Sequence, residues 1–525
     1  MAEDPLSAQR RLVQTLRQQL GARLIETHIS YVLLAGGQAY KLKKAVDLGF
    51  ADFRSLAQRR AGCEEELRLN RRTAPELYQR VRPLTGSRAR PSIGGRGAVQ
   101  DWLLQMRAFD QRGLWDRLAA RGQLGPTHID ALVEVLADFH ARAAVAASDS
   151  DYGRPAQLRE PMLDNLRVLG RLCRGSGQRA ALARLAHWEA AAFAALRGVF
   201  RQRRVAGRVR DAHGDLHLGN VTQYQGRTLL FDCLEFSADL RWTDVMSDVA
   251  FMAMDLQAHG LAPLAHRFVN GYIERSGDAQ GLRVLRYYSV HRALVRAKVA
   301  ALRVAQLASR TAAAQAAGHS VSRYLRLALQ CIEPVRPVLM LTHGYSGSGK
   351  TLLTQSLLEA AGALRFRADV ERKRLAGLPP LQRVRGETLA RLYGPAMNDA
   401  TQARLRALAA LALRSGRHVI LDGTFLRRRP RRQARQLAQR LGVGFVLIDF
   451  QAPLSCLQQR VAARARRADD ASDAGLTVLQ AQRLLAEPLD TDERTCSVRF
   501  DAARPYDAKA MPRRWGALLR QLRRP

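Results

Sequence analysis

Lysine is nearly absent from this chain: seven of its 84 basic residues are lysine, and the remainder are arginines spread from end to end. A net charge of +37 and a pI near 11.3 would concentrate polyanions. An arginine excess without a focus, however, tracks a GC-rich coding sequence more than a binding surface, so a nucleic-acid partner is admitted but not favoured. Aromatic residues are also scarce, at 6%, and do not interleave with the densest arginine run, Arg427-Arg428-Arg429-Pro430-Arg431-Arg432. That run reads either as a solvated face or as an anion-contacting patch, without the stacking platform of a single-strand binder. Six scattered cysteines include no C-x-x-C pair, so neither a zinc site nor a disulfide framework is indicated. No apolar run approaches the roughly 18 residues that span a bilayer. The opening MAEDPLSAQRRLVQTLRQQL reads as a polar amphipathic helix without the apolar core of a secretion signal. A cytoplasmic protein with no membrane partner is expected.

What is present is ordinary globular material, 47% hydrophobic and 25% charged over 525 residues, enough for two or three domains. Its most informative stretch is GYSGSGKT, formed by Gly344, Tyr345, Ser346, Gly347, Ser348, Gly349, Lys350 and Thr351. This is a complete G-x-x-x-x-G-K-S/T loop. It follows the apolar run Val338–Leu341 and precedes the amphipathic Leu352–Leu358. A buried strand turning into a helix is the setting in which consecutive backbone N–H groups and the helix N-terminus face nucleotide phosphates. Binding of a nucleoside triphosphate is the expectation.

In the first half, Ser30–Leu34 and Gln38–Leu42 read as a hairpin about Gly36-Gly37. A helix follows from about Asp52 to Arg72, then a strand at Val99–Arg107 and a long helical region from Thr127 to Arg201. His213-Gly214-Asp215-Leu216-His217-Leu218-Gly219-Asn220 then sets an aspartate two residues after a histidine and an asparagine five residues further on. That is the spacing of a kinase catalytic loop. A second hairpin, Val221–Phe231, returns the chain to Asp232. One carboxylate to orient an attacking hydroxyl, with an amide oxygen and a second carboxylate for magnesium, is what phosphoryl transfer requires.

HGDLHLGN followed by Asp232-Cys233-Leu234-Glu235 resembles the aminoglycoside phosphotransferase and choline-kinase branch of the kinase-like fold. The resemblance implies ATP and Mg2+ as cofactors, Asp215 as catalytic base, and Asn220 and Asp232 as metal ligands. It makes His213 structural and leaves His217 as loop filler or as a group facing substrate. It also implies a phosphate-holding strand lysine, Lys41 or Lys43, which share a face. Their ion-pair partner should come from Glu64, Glu65 and Glu66, with Glu65 favoured. Asp239, Asp244, Asp248 and Asp255 suit either a polycation pocket or helix caps and structural pairs.

In the second half, His418–Asp422 is an apolar strand ending in the aspartate expected to hold magnesium near Thr351. Asp369 follows the first crossover helix and is the candidate base there. Arg460 and Arg464, four apart on one helical face, would close over the transferring phosphoryl group. The stretch from Val335 to Phe500 resembles the zeta-toxin and polynucleotide-kinase group of P-loop kinases. Lys350 would then stabilise charge on the β- and γ-phosphates.

The fold expected is thus α/β and α+β: a two-lobed kinase-like domain over 1–330, and over 331–525 a P-loop domain with a parallel sheet flanked by helices. Glu333–Pro337 is the boundary linker. The function expected is ATP-dependent phosphotransfer to small-molecule or nucleotide hydroxyl acceptors. An ATP-gated regulatory or nucleic-acid-binding protein with a silent module, and an aminoglycoside O-phosphotransferase, are the alternatives.

Overall fold

A glycine pair turns the chain back on itself where the alternation of the first strands predicts it. The structure is a computed structural model describing every residue except 1–3, 48, 50–51, 308–310, 468–470, 508–509 and 523–525. In it Arg23–Glu26 (β1), Ser30–Ala35 (β2) and Gln38–Lys43 (β3) run antiparallel. Gly36 and Gly37 take φ of +53° and +71°, the left-handed pair whose twist matches the flanking strands. Tyr78–Ser87 (β4), Arg90–Ile93 (β5) and Val99–Arg107 (β6) complete a six-stranded sheet in the order β1-β2-β3-β6-β4-β5. The helix Pro5–Leu20 lays Leu12, Val13 and Leu16 against Tyr31, Leu33, Leu42 and Leu103 of this sheet. Leu56–Asn70 forms the expected second helix, started by a Ser55–Gln58 capping box.

A helical lobe follows, including Pro126–Arg142, Ser176–Val205, Val245–Ala258, Leu282–Gln306 and Ala312–Ile332. Between its helices, Val209–Asp211 (β7) leads into the HGD loop. Val221–Tyr224 (β8) and Arg227–Leu230 (β9) form the hairpin that returns to Asp232, and Trp242–Asp244 (β10) pairs back with β7.

Val338–His343 (β11), Leu364–Arg367 (β12), Val419–Asp422 (β13), Gly444–Gln451 (β14) and Ser497–Asp501 (β15) make a wholly parallel sheet in the order β12-β13-β11-β14-β15. Strand order reverses at β11, whose neighbours are β13 and β14. The carboxyl ends of the strands at such a switch point open a crevice for ligands. The loop expected to bind phosphate lies there, between β11 and the helix Lys350–Ala361. The core beneath contains Met340, Leu357, Ile420, Ile448 and Phe500, joined by Met511, Trp515 and Leu518. The basic C-terminal stretch is therefore a core element of this sheet domain as well as a charged tail.

The chain traces two compact units, Met1–His259 with Tyr287–Leu329 and Gly260–Arg286 with Gln330–Pro525. The helix Ala262–Ser276 belongs to the second. Its Asn270 Oδ1 accepts the Arg365 N–H at 2.8 Å, and His266 Nδ1 donates to the Glu359 carbonyl at 2.7 Å. The fold class is as the sequence led us to expect, a kinase-like first unit of small sheet plus helical lobe and a P-loop second unit. No described helix is long and apolar enough to cross a membrane.

Candidate functional site

The P-loop of the second unit is held from both sides. Gly344 N–H donates to the Thr424 carbonyl at 3.1 Å, and Ser346 N–H to Gln482 Oε1 at 2.9 Å. Gly347 sits at φ +84°, and a Cβ there would lie 2.7 Å from the Leu457 carbonyl oxygen, so only glycine fits. Lys350 Nζ donates to the carbonyls of Gly344 and Tyr345 at 2.9 and 2.7 Å. Thr351 Oγ1 donates to Asp422 Oδ2 at 2.6 Å. The loop hydroxyl and the carboxylate at the end of β13 therefore meet although 71 residues separate them.

A cavity of about 1180 Å3 opens over this contact and brings together Gly347, Lys350, Thr351, Asp369, Asp422 and Arg464. Ser346, Gly349 and Arg460 also line it. Gly344, Tyr345 and Ser348 line a separate cavity of about 610 Å3, alongside His343 and Asp449. Asp369 opens the helix Ala368–Leu375, paired with Arg372 and 3.4 Å from the Tyr393 hydroxyl. Burial would raise its carboxyl, but Arg372 and a hydrogen bond from Ser472 hold it below the usual carboxylate range. Arg460 Nη1 donates to the Ala502 carbonyl at 2.7 Å, and Arg464 Nη2 to that of Ala474 at 2.9 Å. The arginine run falls on the wall too: Arg427, Arg428, Arg429 and Arg432 line the larger cavity, while Arg431 is buried against Glu493. Phe425, also on this wall, sits at φ +43°, a strained conformation for an aromatic residue and one that clusters at working sites. Tyr393, Asn398 and Gln482 were not singled out in the sequence; they lie on loops and helices whose approach no local pattern announces.

The first unit assembles its own charged centre. Lys41 Nζ lies 2.7 Å from Glu66 Oε1 and 2.6 Å from Asp232 Oδ1. Lys43 is held between Glu66 and Glu235. The expectation for Glu65 is corrected here: that residue pairs with Arg68 at 2.7 Å and Arg241 at 2.9 Å. Successive helical residues turn by about 100°, so only one of three adjacent glutamates can face the sheet, and Glu66 is the fully buried one. Burial would lower the Lys41 ammonium, yet Asp232 and Glu66 keep it well above its ordinary value. Asp232 itself has φ +60°, its N–H accepted by the Tyr78 hydroxyl at 3.2 Å.

Across the loop, Asn220 Nδ2 donates to Asp215 Oδ2 at 3.1 Å and to its carbonyl at 2.9 Å. His217 Nε2 lies 3.6 Å from Asp215 Oδ2, placing that imidazole beside the carboxylate. Burial opposes the Asp215 charge, but His217 and, further off, His213 and Arg292 hold its carboxyl well below the ordinary range. His213 is structural: its Nε2 pairs with the Phe231 carbonyl at 3.0 Å, and burial lowers its pKa. From beneath, Asp248 accepts the N–H groups of His213 and Gly214 at 2.8 and 3.0 Å, and Asp255 accepts that of Leu218 at 3.0 Å. Seven residues apart, these two aspartates share one face of the helix Val245–Ala258. Their spacing was visible in the sequence; their target was not.

Residues 339–489 match the family described as AAA domain. Over 482 residues the chain is 32% identical to the uncharacterized protein Rv2004c of Mycobacterium tuberculosis and equally to Mb2027c of Mycobacterium bovis, covering 92% of each chain in both comparisons. Among solved structures, a gluconokinase from Sinorhizobium meliloti shares 22% identity at a TM-score of 0.26, over 36% of this chain and 94% of its own. A choline/ethanolamine kinase family protein from Mesorhizobium loti shares 14% at 0.37, over 61% of this chain and 99% of its own. With its P-loop in a segment that matches an AAA domain and 32% identity across nine-tenths of both lengths, the chain belongs to the family of these mycobacterial proteins.

Proposed function

We propose that the protein is a magnesium-dependent ATP phosphotransferase with two nucleotide sites, each passing the γ-phosphoryl group to a hydroxyl acceptor. The observation that carries this is the meeting of Thr351 and Asp422 at 2.6 Å beside the P-loop, with Asp369 on the same cavity. Hydroxyl and carboxylate oxygens are the donors Mg2+ prefers, and one or two of them suffice when phosphates supply the rest. Thr351 and Asp422 would hold the ion in the second unit, and Asn220 with Asp232 in the first. Bound there, it supplies positive charge to the phosphate oxygens.

The chain's own groups do the remainder. The acceptor oxygen bonds to the γ-phosphorus as the bond to the bridging oxygen of ADP breaks; ADP leaves with that electron pair, and the hydroxyl proton passes to Asp369 in one site or Asp215 in the other. The backbone amides of the P-loop and Lys350 steady the phosphates. Arg460 and Arg464 stand over the same cavity, where water-excluded positive charge offsets the negative charge that builds in transfer. In the first unit Lys41, fixed by Glu66, meets the α- and β-phosphates.

The test is product formation from ATP across a panel of hydroxyl compounds, followed by mass spectrometry, with wild type, Lys350→Ala and Asp215→Ala. Loss of a product in either variant, with the fold intact by circular dichroism, supports an enzyme. ATP binding with no transfer in any arm, together with tight and salt-sensitive RNA or DNA binding, supports the ATP-gated alternative, which the arginines around Arg427–Arg432 favour.

A pH dependence follows from Lys350. Burial pushes its ammonium down to about 8, against the pull of Asp422. Below pH 8 the group is charged and meets the phosphates at full strength. Above it, the free protein must first take up a proton, so ATP affinity is expected to fall about fivefold between pH 8 and 9, and about tenfold between pH 7 and 9. Calorimetric titration of ATP into Lys41→Met protein, whose first site has lost its phosphate-holding lysine, at pH 7, 8 and 9 checks this; a dissociation constant steady across that range would show that Lys350 keeps its ordinary pKa.

A further inference from the structure

Of the four aspartates that follow Asp232, the groups a polycationic acceptor would need, three are buried in structural contacts and the fourth, Asp239, lies exposed. Asp244 is bound by Arg203 and caps the helix Val245–Ala258, and Asp239 accepts from Gln157 at 3.0 Å. Asp248 and Asp255 carry the catalytic loop, as described above. Asp255 Oδ1 in addition accepts the Tyr324 hydroxyl at 3.2 Å.

What stands near Asp215 is positive. Arg292 and Arg296 lie four residues apart on the helix Leu282–Gln306, hence on one face of it. Arg292 is anchored through Nε, which donates to Ser247 Oγ at 3.1 Å, and its guanidinium lies 4.8 Å over the ring of Phe251. That ring meets His217 edge-on at 5.5 Å, and His217 is the residue beside Asp215. Arg296 is anchored the same way, Nε to the Tyr324 hydroxyl at 3.3 Å with the guanidinium 5.6 Å over the ring. In both residues Nε alone donates a hydrogen bond among the described residues, so the Nη groups remain available. Burial lowers the Arg292 guanidinium against the pull of Asp248 and Asp215, while Tyr324, Asp255 and, more weakly, Asp215 outweigh burial at Arg296 and raise it. Two guanidinium groups held through Nε on one helix face keep Nη forks of the kind that recognise a planar or tetrahedral anion.

We infer that the acceptor at the N-terminal site carries an anionic group, a carboxylate or a phosphate, gripped by Arg292 and Arg296 while its hydroxyl meets Asp215. This rests on the reading of Asp215 as the base proposed above. It turns the substrate class away from the aminoglycosides and choline that the resemblance of the loop suggests.

The experiment uses full-length Lys350→Ala protein, so that transfer at the second site is suppressed, with ATP and Mg2+ and one of five probes: gluconate, ribose 5-phosphate, glycerol, choline or kanamycin. A phosphorylated product is expected from gluconate if the forks take a carboxylate, and from ribose 5-phosphate if they take a phosphate. The KM for that probe should rise at least tenfold in Arg296→Gln and in Arg292→Gln. Product from choline or kanamycin overturns the inference. Binding of inorganic phosphate to the ADP-loaded protein, followed by 31P line broadening, needs no catalysis. It should weaken at least tenfold in the double variant, and a change within twofold overturns the inference. Arginine-dependent phosphate binding without transfer in any arm supports the anion site and counts against Asp215 as a base. Arg292 is nearly buried; if Arg292→Gln fails to fold, Arg296→Gln, at a half-buried position, carries both measurements alone.

Discussion

Asp369→Asn will lower acceptor phosphorylation by the second unit about 10²- to 10⁴-fold at saturating ATP and acceptor, the range associated with removing a positioned general base. The substitution keeps the shape of the side chain and leaves an oxygen for the Arg372 guanidinium and the Tyr393 hydroxyl, so the surroundings should stay in place. It removes the charge that accepts the proton. Because Asp369 lies apart from the P-loop in sequence, and its pull on Lys350 is weaker than those of burial and Asp422, the dissociation constant for ATP should move little. Single-turnover kinetics on Asp215→Ala protein, which isolates this site, would separate the two effects. A loss in kcat smaller than tenfold would mean that Asp369 merely neutralises Arg372, and that another group orients the acceptor.

The second large effect concerns stability. Lys43 is wholly buried, held by the carboxylates of Glu66 and Glu235. Lys43→Met matches its length but leaves Glu235, whose pKa burial already raises, without its partner. Breaking a buried pair from one side costs about 3–5 kcal/mol. We therefore expect the denaturant transition of the first unit to shift by that amount. Adding Glu235→Gln should recover part of the loss, because the stranded charge is then removed as well. Lys41→Met should behave differently. Its nitrogen reaches Asp232, whose side chain is two-fifths exposed, and the loss there should be chiefly in phosphoryl transfer by the first unit. Urea titrations of the three variants, with transfer assays alongside, test this division of labour. Equal destabilisation by both lysine substitutions would show that neither is dedicated to nucleotide.

These two lysines also show what a single sequence discloses and what it withholds. GYSGSGKT was legible with its strand and helix because the loop, its support and its continuation are contiguous, and each obeys a local rule. The same holds for the β2–β3 hairpin, set by Gly36-Gly37, and for Val99–Arg107, which the structure reproduces as β6 at both ends. Local pattern could not say which of Glu64, Glu65 and Glu66 meets Lys41. That depends on the rotation of one helix against a sheet whose strands run from Arg23 to Arg107, a tertiary quantity. Nor could it decide whether Arg427–Arg432 faces solvent or a cavity, since an exposed helix end reads the same in either case. One signal went unused. In a chain with seven lysines, Lys41, Lys43, Lys350 and Lys373 are all buried. A compact ammonium fits confined spaces that the wider, planar guanidinium does not, so lysine in an arginine-dominated composition marks such places.

The helix Ala262–Ser276 has a consequence for how this molecule can be divided. Because it supplies Asn270 and His266 to the P-loop unit from upstream of Tyr287–Leu329, the polypeptide visits each unit twice. A scission at the proline-bracketed segment near Pro334 would not release two self-sufficient pieces. The downstream fragment would lose the carboxamide that accepts the Arg365 N–H of the edge strand β12, together with the helix on which Phe268 and Ile273 are buried. The two compact units are thus tied together by chain path, and the separation of either by simple truncation is closed off.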